Sequence, residues 1–168
     1  MEQKDLCLII PAYNEEKNLP KLIAELKAAQ YSNDQIIIVN DCSGDDTLEI
    51  ANTSGALVID LPINLGIGGA MQSGYMLAAS KGFRYVCQID GDGQHPPEEI
   101  ETLYKKISKT KADMVFGSRF IDQSLTGFKS ASVTRSIGIV ITRLFIQMAC
   151  RKKFYDITSG FRMIDINL

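Results

Sequence analysis

The chain has 168 residues, 45% of them apolar, with 18 Lys and Arg against 20 Asp and Glu. That is enough for one domain with a sizeable core, and the near-neutral charge gives no footprint for wholesale nucleic-acid binding. The apolar runs, Ile137 to Ile141 among them, are far too short to span a bilayer, and the four cysteines, Cys7, Cys42, Cys87 and Cys150, form no CxxC pair and read as reduced, mostly buried thiols of a cytosolic chain.

Short apolar, β-branched runs alternate with helical periodicity along the chain. Leu6 to Ile10 reads as a first strand, and no apolar signal region precedes it. Leu19, Leu22, Ile23 and Leu26 then recur at helical spacing. Ile36 to Val39 is a second strand, followed by a polar turn and a short helix near Thr47 to Thr53. Leu57 to Leu61 is a third strand, and a helix through Ala70 to Ala79 ends at Gly82. Tyr85 to Ile89 is a fourth strand. Ile100, Leu103, Tyr104 and Ile107 mark the next helix, with Pro96 and Pro97 at its start. Met114 to Phe116 is a fifth strand, and a long helix is expected over Val133 to Ala149. Strands that are apolar throughout and separated by helices imply a mainly parallel sheet covered on both faces.

Ligands of such sheets bind beyond the carboxyl ends of the strands. There the polar residues are Pro-Ala-Tyr-Asn-Glu, Asn-Asp-Cys-Ser-Gly-Asp-Asp, Asp-Gly-Asp-Gly-Gln-His and Gly-Ser-Arg. Asp90 and Asp92, two apart in extended chain, point to one side. Together with Gln94 they make a hard oxygen set suited to Mg²⁺ or Mn²⁺, the kind of cation that offsets charge on a departing diphosphate. A solvated turn with a helix cap is the plainer reading of the same residues. An EF-hand loop fails, because His95 stands where Gly is needed, Pro96 follows and a strand precedes. The Gly66 to Met71 segment is no dinucleotide fingerprint, since Met71 replaces the final Gly or Ala and the segment follows the third strand. There is no GxxxxGK[ST] and no GxSxG, and His95, the only histidine, reads as a helix-start residue. Asn14 can cap a helix beginning at Glu15, and Ser43 or Asp45 one beginning near Asp46. Beside Asp90 at one sheet edge, Asp41 can instead accept from ribose hydroxyls or a base N–H, and Tyr13 can pack on a base.

The ordered set Pro11-Ala-Tyr-Asn-Glu15, Val39-Asn-Asp-Cys-Ser-Gly-Asp-Asp-Thr47, Asn64-Leu-Gly-Ile-Gly-Gly-Ala70, Asp90-Gly-Asp-Gly-Gln-His-Pro96, Gly117-Ser-Arg119 and Asp156-Ile-Thr-Ser-Gly-Phe-Arg162 resembles the family-2 glycosyltransferases. Within them it is most similar to the dolichol-phosphate mannose synthase and polyprenyl-phosphate glycosyltransferase branch. The resemblance implies a GT-A fold, an α/β/α sandwich. It implies an enzyme that inverts at the anomeric carbon of a UDP- or GDP-sugar by one in-line displacement. Pro11, Tyr13, Glu15 and Asp41 would hold base and ribose, and Asp90, with Asp92 and Gln94, the metal and diphosphate. Arg119 and Arg135 would meet donor or acceptor phosphate, and Asp156 and Ser159 to Arg162 would border the acceptor. The acceptor would be polyprenyl phosphate or a saccharide; Asp156 is the candidate general base for a hydroxyl acceptor.

Asn40 and Cys42 stand where many members have Asp and Gly. Members usually continue past Ser-Gly-Phe-Arg, so 1–168 would be the nucleotide-sugar-binding part of a longer catalytic domain. The Val133 to Ala149 helix, punctuated by Arg135, Arg143 and Arg151, reads as a core or dimer-forming helix or as a peripheral contact at the cytoplasmic face of a membrane. Two other classes compete. One is a nucleotide-sugar-binding fragment without activity. The other is a sugar nucleotidyltransferase, which would carry a Gly- and Arg-containing loop after the first strand.

Overall fold

The computed structural model describes residues 5–91, 97–117 and 161–167. The chain divides into two compact units, 1–115 with 160–168, and 116–159; nearly all of the second lies outside the described residues. So do the expected Val133–Ala149 helix, Asp92, Gln94, His95, Arg119, Arg135 and Asp156.

A six-stranded sheet forms the centre, with strands β1 (Leu6–Ala12), β2 (Ile36–Asn40), β3 (Leu57–Asp60), β4 (Tyr85–Gln88), β5 (Met114–Phe116) and β6 (Arg162–Asp165). Their order is β3-β2-β1-β4-β6-β5. β1 pairs in parallel with β2 and β4, and β2 with β3, while β6 runs antiparallel to β4 with Gln88 opposite Arg162. The four parallel strands and β5 are the ones expected from the sequence. β6 was not expected as a strand: its Arg-Met-Ile-Asp sequence buries only Met163 and carries no period that separates it from a loop.

Among the described residues four α-helices join the strands: α1 (Leu19–Ala28), α2 (Thr47–Thr53), α3 (Gly66–Ser80) and α4 (Pro97–Thr110). The period of two along β1 decides which helix packs where. Leu6, Leu8, Ile10 and Ala12 face one side, with Leu19, Leu22 and Leu26 of α1, Ala51 of α2 and Ile100, Leu103 and Ile107 of α4. Cys7 and Ile9 face the other, with Ala70, Met71 and Ala78 of α3. Each fully buried Leu or Ile in these layers contributes about 1.5–3 kcal/mol. α3 lies close to β1 because Gly74 has no Cβ: one placed there would stand 2.6 Å from Ile9 Cγ2. Cys7 and Cys87 are packing residues, and burial pushes the Cys7 thiol up to about 12. Cys42 is exposed.

Strand ends shift by one or two residues, as in β1, which runs to Ala12 rather than Ile10, and two helix starts differ from expectation. α3 begins at Gly66, a turn earlier than Ala70, because Asp41 and Asn64 take up the Leu65 and Gly66 N–H groups at its start. α1 begins at Leu19, well after Asn14.

Candidate active site

The carboxyl ends of β1, β2 and β4 open on a cavity of about 250 Å³ lined by Pro11, Ala12, Tyr13, Glu15, Asp41, Ile67, Ala70, Asp90 and Gly91. Parallel strands emit their C-terminal loops at one sheet edge, so segments up to 80 residues apart in sequence, Pro11 to Gly91, meet there. Five residues expected to bind the donor, Pro11, Tyr13, Glu15, Asp41 and Asp90, share this one cavity. Ile67 and Ala70 come from the first turn of α3, a contribution the sequence reading missed; the signal was the Gly-rich segment at the end of β3.

The loop residues divide by task. Side-chain hydrogen bonds join the loop after β1 to the loop after β2 and the start of α2. Asn14 N–H donates to Ser43 Oγ (3.1 Å), Gly44 N–H to Asn14 Oδ1 (2.9 Å), Glu15 N–H to Thr47 Oγ1 (2.8 Å) and Glu16 N–H to Asp45 Oδ2 (3.2 Å). The Asp46 N–H also donates to Glu16 Oε2 (3.4 Å). Asn14 therefore does not cap a helix. It sits at φ 56°, a left-handed conformation that Asn tolerates, and ties one loop to the other. Asp45 does hold the start of α2, accepting from the Thr47 N–H and hydroxyl. Burial pushes its carboxyl up, but the hydrogen bonds from Thr47 and Glu16 outweigh this and hold it below the ordinary value.

Asp41 is 4% exposed, and its Oδ1 accepts the Leu65 N–H at 2.7 Å. It caps no helix in its own segment; it fixes the entry to α3 while lining the cavity. Asn40 beside it donates from Nδ2 to Asp60 Oδ1 (2.7 Å) and accepts the Ser43 N–H (3.3 Å). An Asp at position 40 would set two carboxylates against each other here, so the departure at Asn40 fits its neighbour. Cys42 adopts φ 59°, where Gly would be at ease, and its thiol lies 3.7 Å from the Pro62 carbonyl.

At the floor of the cavity, Gly91 brings β4's exit close to β1. A Cβ at Gly91 would lie 3.3 Å from Glu15 Cγ and 3.4 Å from the Pro11 carbonyl. Asp90 Oδ1 accepts from Gln88 Nε2 at 3.2 Å, and Gln88 Oε1 accepts from Arg162 Nε at 3.1 Å. The Tyr75 hydroxyl is buried near the Arg162 guanidinium but short of a hydrogen bond; burial raises its pKa and Arg162 pulls it back. Phe161 is buried in the core and Arg162 reaches Gln88, so these two members of the expected acceptor-side stretch have roles within the sheet.

Asp90 alone of the expected metal trio is among the described residues, and no three His, Cys, Asp or Glu side chains among them converge as a metal site.

The model of the family described as Glycosyl transferase family 2 matches residues 7–166. The chain is 32% identical over 155 residues to UDP-N-acetylglucosamine–dolichyl-phosphate N-acetylglucosaminyltransferase of Methanococcus voltae, covering 82% of this chain and 60% of that protein. It is 31% identical over 161 residues to polyprenol monophosphomannose synthase of Mycolicibacterium smegmatis, covering 92% of this chain and 59% of that protein. It spans about three-fifths of the length of both. Among solved structures, glucosyl-3-phosphoglycerate synthase from Mycobacterium tuberculosis in complex with UDP superposes with a TM-score of 0.68 at 21% identity, over 95% of this chain and 56% of that one. The same enzyme has been crystallised with Mn²⁺, UDP and glucosyl-3-phosphoglycerate. At such identity the likeness shows the fold alone, and the fold is the expected GT-A sandwich.

Proposed function

Because the chain belongs to glycosyl transferase family 2, we propose that its cavity takes a UDP- or GDP-sugar and that residues 1–168 are the donor-binding part of an inverting glycosyltransferase. The acceptor we infer is polyprenyl phosphate. The observation that carries this reading is the meeting of Pro11, Tyr13, Glu15, Asp41 and Asp90 in one cavity at the carboxyl edge of the sheet. Tyr13, 53% exposed at the rim, offers a ring face to the base. Asp41 and Glu15 accept from ribose hydroxyls and base N–H groups, and Pro11 forms a wall.

Three carboxylates line the cavity, and among the described residues none of the lining side chains is basic. Such a surface repels a diphosphate unless a cation stands between them. Its carboxylate oxygens are hard donors of the kind that suits Mg²⁺ or Mn²⁺, and Asp90, with Asp92 and Gln94, would hold the ion. The cation, when bound, neutralises charge developing on the departing diphosphate. The chain's own part is to orient the donor so that its anomeric carbon faces the acceptor. A phosphate monoester has a second pKa of about 6 and is already nucleophilic at neutral pH. With that acceptor Asp156 need take no proton, and Arg119 and Arg135 would meet its phosphate. The dolichyl and polyprenol acceptors named for the two relatives support this choice over a sugar hydroxyl. No helix among the described residues is long and apolar enough to cross a membrane. Contact with such an acceptor at the cytoplasmic face of a membrane is part of the same proposal.

Calorimetric titration with UDP and GDP, with and without Mn²⁺, tests the donor site. One nucleotide is expected to bind, more tightly with Mn²⁺, and Asp92→Ala is expected to remove the metal's contribution. Metal-independent binding unchanged in Asp92→Ala would remove the metal from the proposal. Transfer from the matching nucleotide sugar to a sugar hydroxyl, with none to a short-chain polyprenyl phosphate, would overturn the acceptor.

A further inference from the structure

We propose that Gln88 is a positioning residue that sets the orientation of the Asp90 carboxylate, and that Arg162 fixes Gln88 in turn. The inference rests on the reading of Asp90 as part of the nucleotide and metal site.

Gln88 is the last residue of β4 and is 2% exposed. A buried amide in a sheet interior is unfavourable against an apolar side chain unless its groups are satisfied. Here both ends are engaged. Arg162 can only donate, so the amide oxygen must face it. An ionised Asp90 can only accept, so the amide NH₂ must face that side. The two neighbours specify the same orientation of the Gln88 side chain, which leaves the amide no reason to turn over. The contacts are 3.1 Å from Arg162 Nε and 3.2 Å to Asp90 Oδ1.

The geometry of the sheet makes this chain of contacts possible. Gln88 and Asp90 are two residues apart on the same strand exit and so lie on one side. Arg162 stands directly opposite Gln88 in the antiparallel β4–β6 pair. β6 therefore does more than extend the sheet: it delivers a cation's hydrogen bond to a group that holds Asp90. Asp90 itself lines the cavity. The bond from Gln88 takes one acceptor position on Oδ1 and restrains rotation of the carboxylate, so that its remaining acceptor positions have a fixed direction. Partners of this kind behind a ligating carboxylate typically alter metal affinity by about 10–100-fold when removed.

The test is a double-mutant cycle read by nucleotide binding, with Mn²⁺ and whichever of UDP and GDP binds the wild-type chain. Gln88→Met keeps the volume and removes both hydrogen bonds. It is expected to weaken Mn²⁺-dependent nucleotide binding at least tenfold. Asp90→Ala is expected to weaken it as well, and adding Gln88→Met to Asp90→Ala is expected to change nothing further. An equal Gln88→Met effect in both backgrounds, or no effect in the wild type, overturns the positioning role. An Asp90→Ala variant that binds like the wild type, or a wild-type chain that binds neither nucleotide with Mn²⁺, overturns the site reading on which the role depends. If Gln88→Met does not fold, Arg162→Met and Arg162→Lys replace it. The first is expected to weaken binding and the second, which still offers a donor to the amide oxygen, to restore most of it. Equal binding by the two overturns the inference.

Discussion

Replacing Asp41 separates two tasks that one carboxylate performs. Its Oδ1 accepts the Leu65 N–H at 2.7 Å, and the residue is 4% exposed. Asp41→Ala removes that part-buried hydrogen bond to a charged acceptor, a loss of about 1–3 kcal/mol. For a chain of 168 residues, each kcal/mol moves the melting temperature by about 2–4 °C. The expected drop is therefore about 2–12 °C. Asp41→Asn keeps an oxygen for Leu65, so its stability is expected within about 1 kcal/mol of wild type. What Asn cannot keep is the negative charge and the acceptor-only character that a ribose hydroxyl or base N–H would meet. Nucleotide binding should weaken by about 1–3 kcal/mol in both variants, the range for losing a hydrogen bond to a charged group. Differential scanning fluorimetry supplies the stabilities and calorimetry the affinities. Wild-type affinity in Asp41→Asn, alongside the stability loss in Asp41→Ala, would show that Asp41 serves the α3 entry alone and would refute its place in the donor site.

The helix–sheet contact at Gly74 gives a second outcome. Gly74→Ala gains helix propensity, yet its Cβ would stand 2.6 Å from Ile9 Cγ2 and 3.0 Å from Ile9 Cδ1, so a net destabilisation of about 1–3 kcal/mol is expected in urea unfolding. A variant as stable as wild type would mean that α3 is free to lift from β1. The third concerns acid. The Asp45 carboxyl titrates below the ordinary Asp value of 3.8 because the native chain hydrogen-bonds its ionised form. The native state then binds fewer protons than the unfolded one, so this contribution is complete above the unfolded value and disappears as pH falls through the folded one. Wild type and Asp45→Ala should differ most in stability near pH 7 and begin to converge only as pH falls below about 4; a gap that is constant with pH would contradict the loop-joining role of the ionised carboxylate.

What could be read from the chain was whatever is encoded over a few residues. Runs such as Ile36 to Val39 and the spacing of Ile100, Leu103 and Ile107 declare strand and helix through side-chain periods that any local window contains. Their alternation implies parallel pairing, and parallel pairing implies a ligand edge, which is why Pro11, Tyr13, Glu15, Asp41 and Asp90 could be named as a group. The tasks of their neighbours were not local. Asn14 reads as a cap until the strand order sets it beside Ser43 and Gly44, 29 and 30 residues away. Asn40 looks like a departure until Asp60 is across from it. Arg162-Met-Ile-Asp165 has no pattern of its own and becomes a strand only because β4 offers an unpaired edge, where Arg162 meets Gln88. A hydrogen bond between distant segments is fixed by register and strand order, which depend on how whole layers pack; the residues carry the capacity for it, and the tertiary structure chooses the partner.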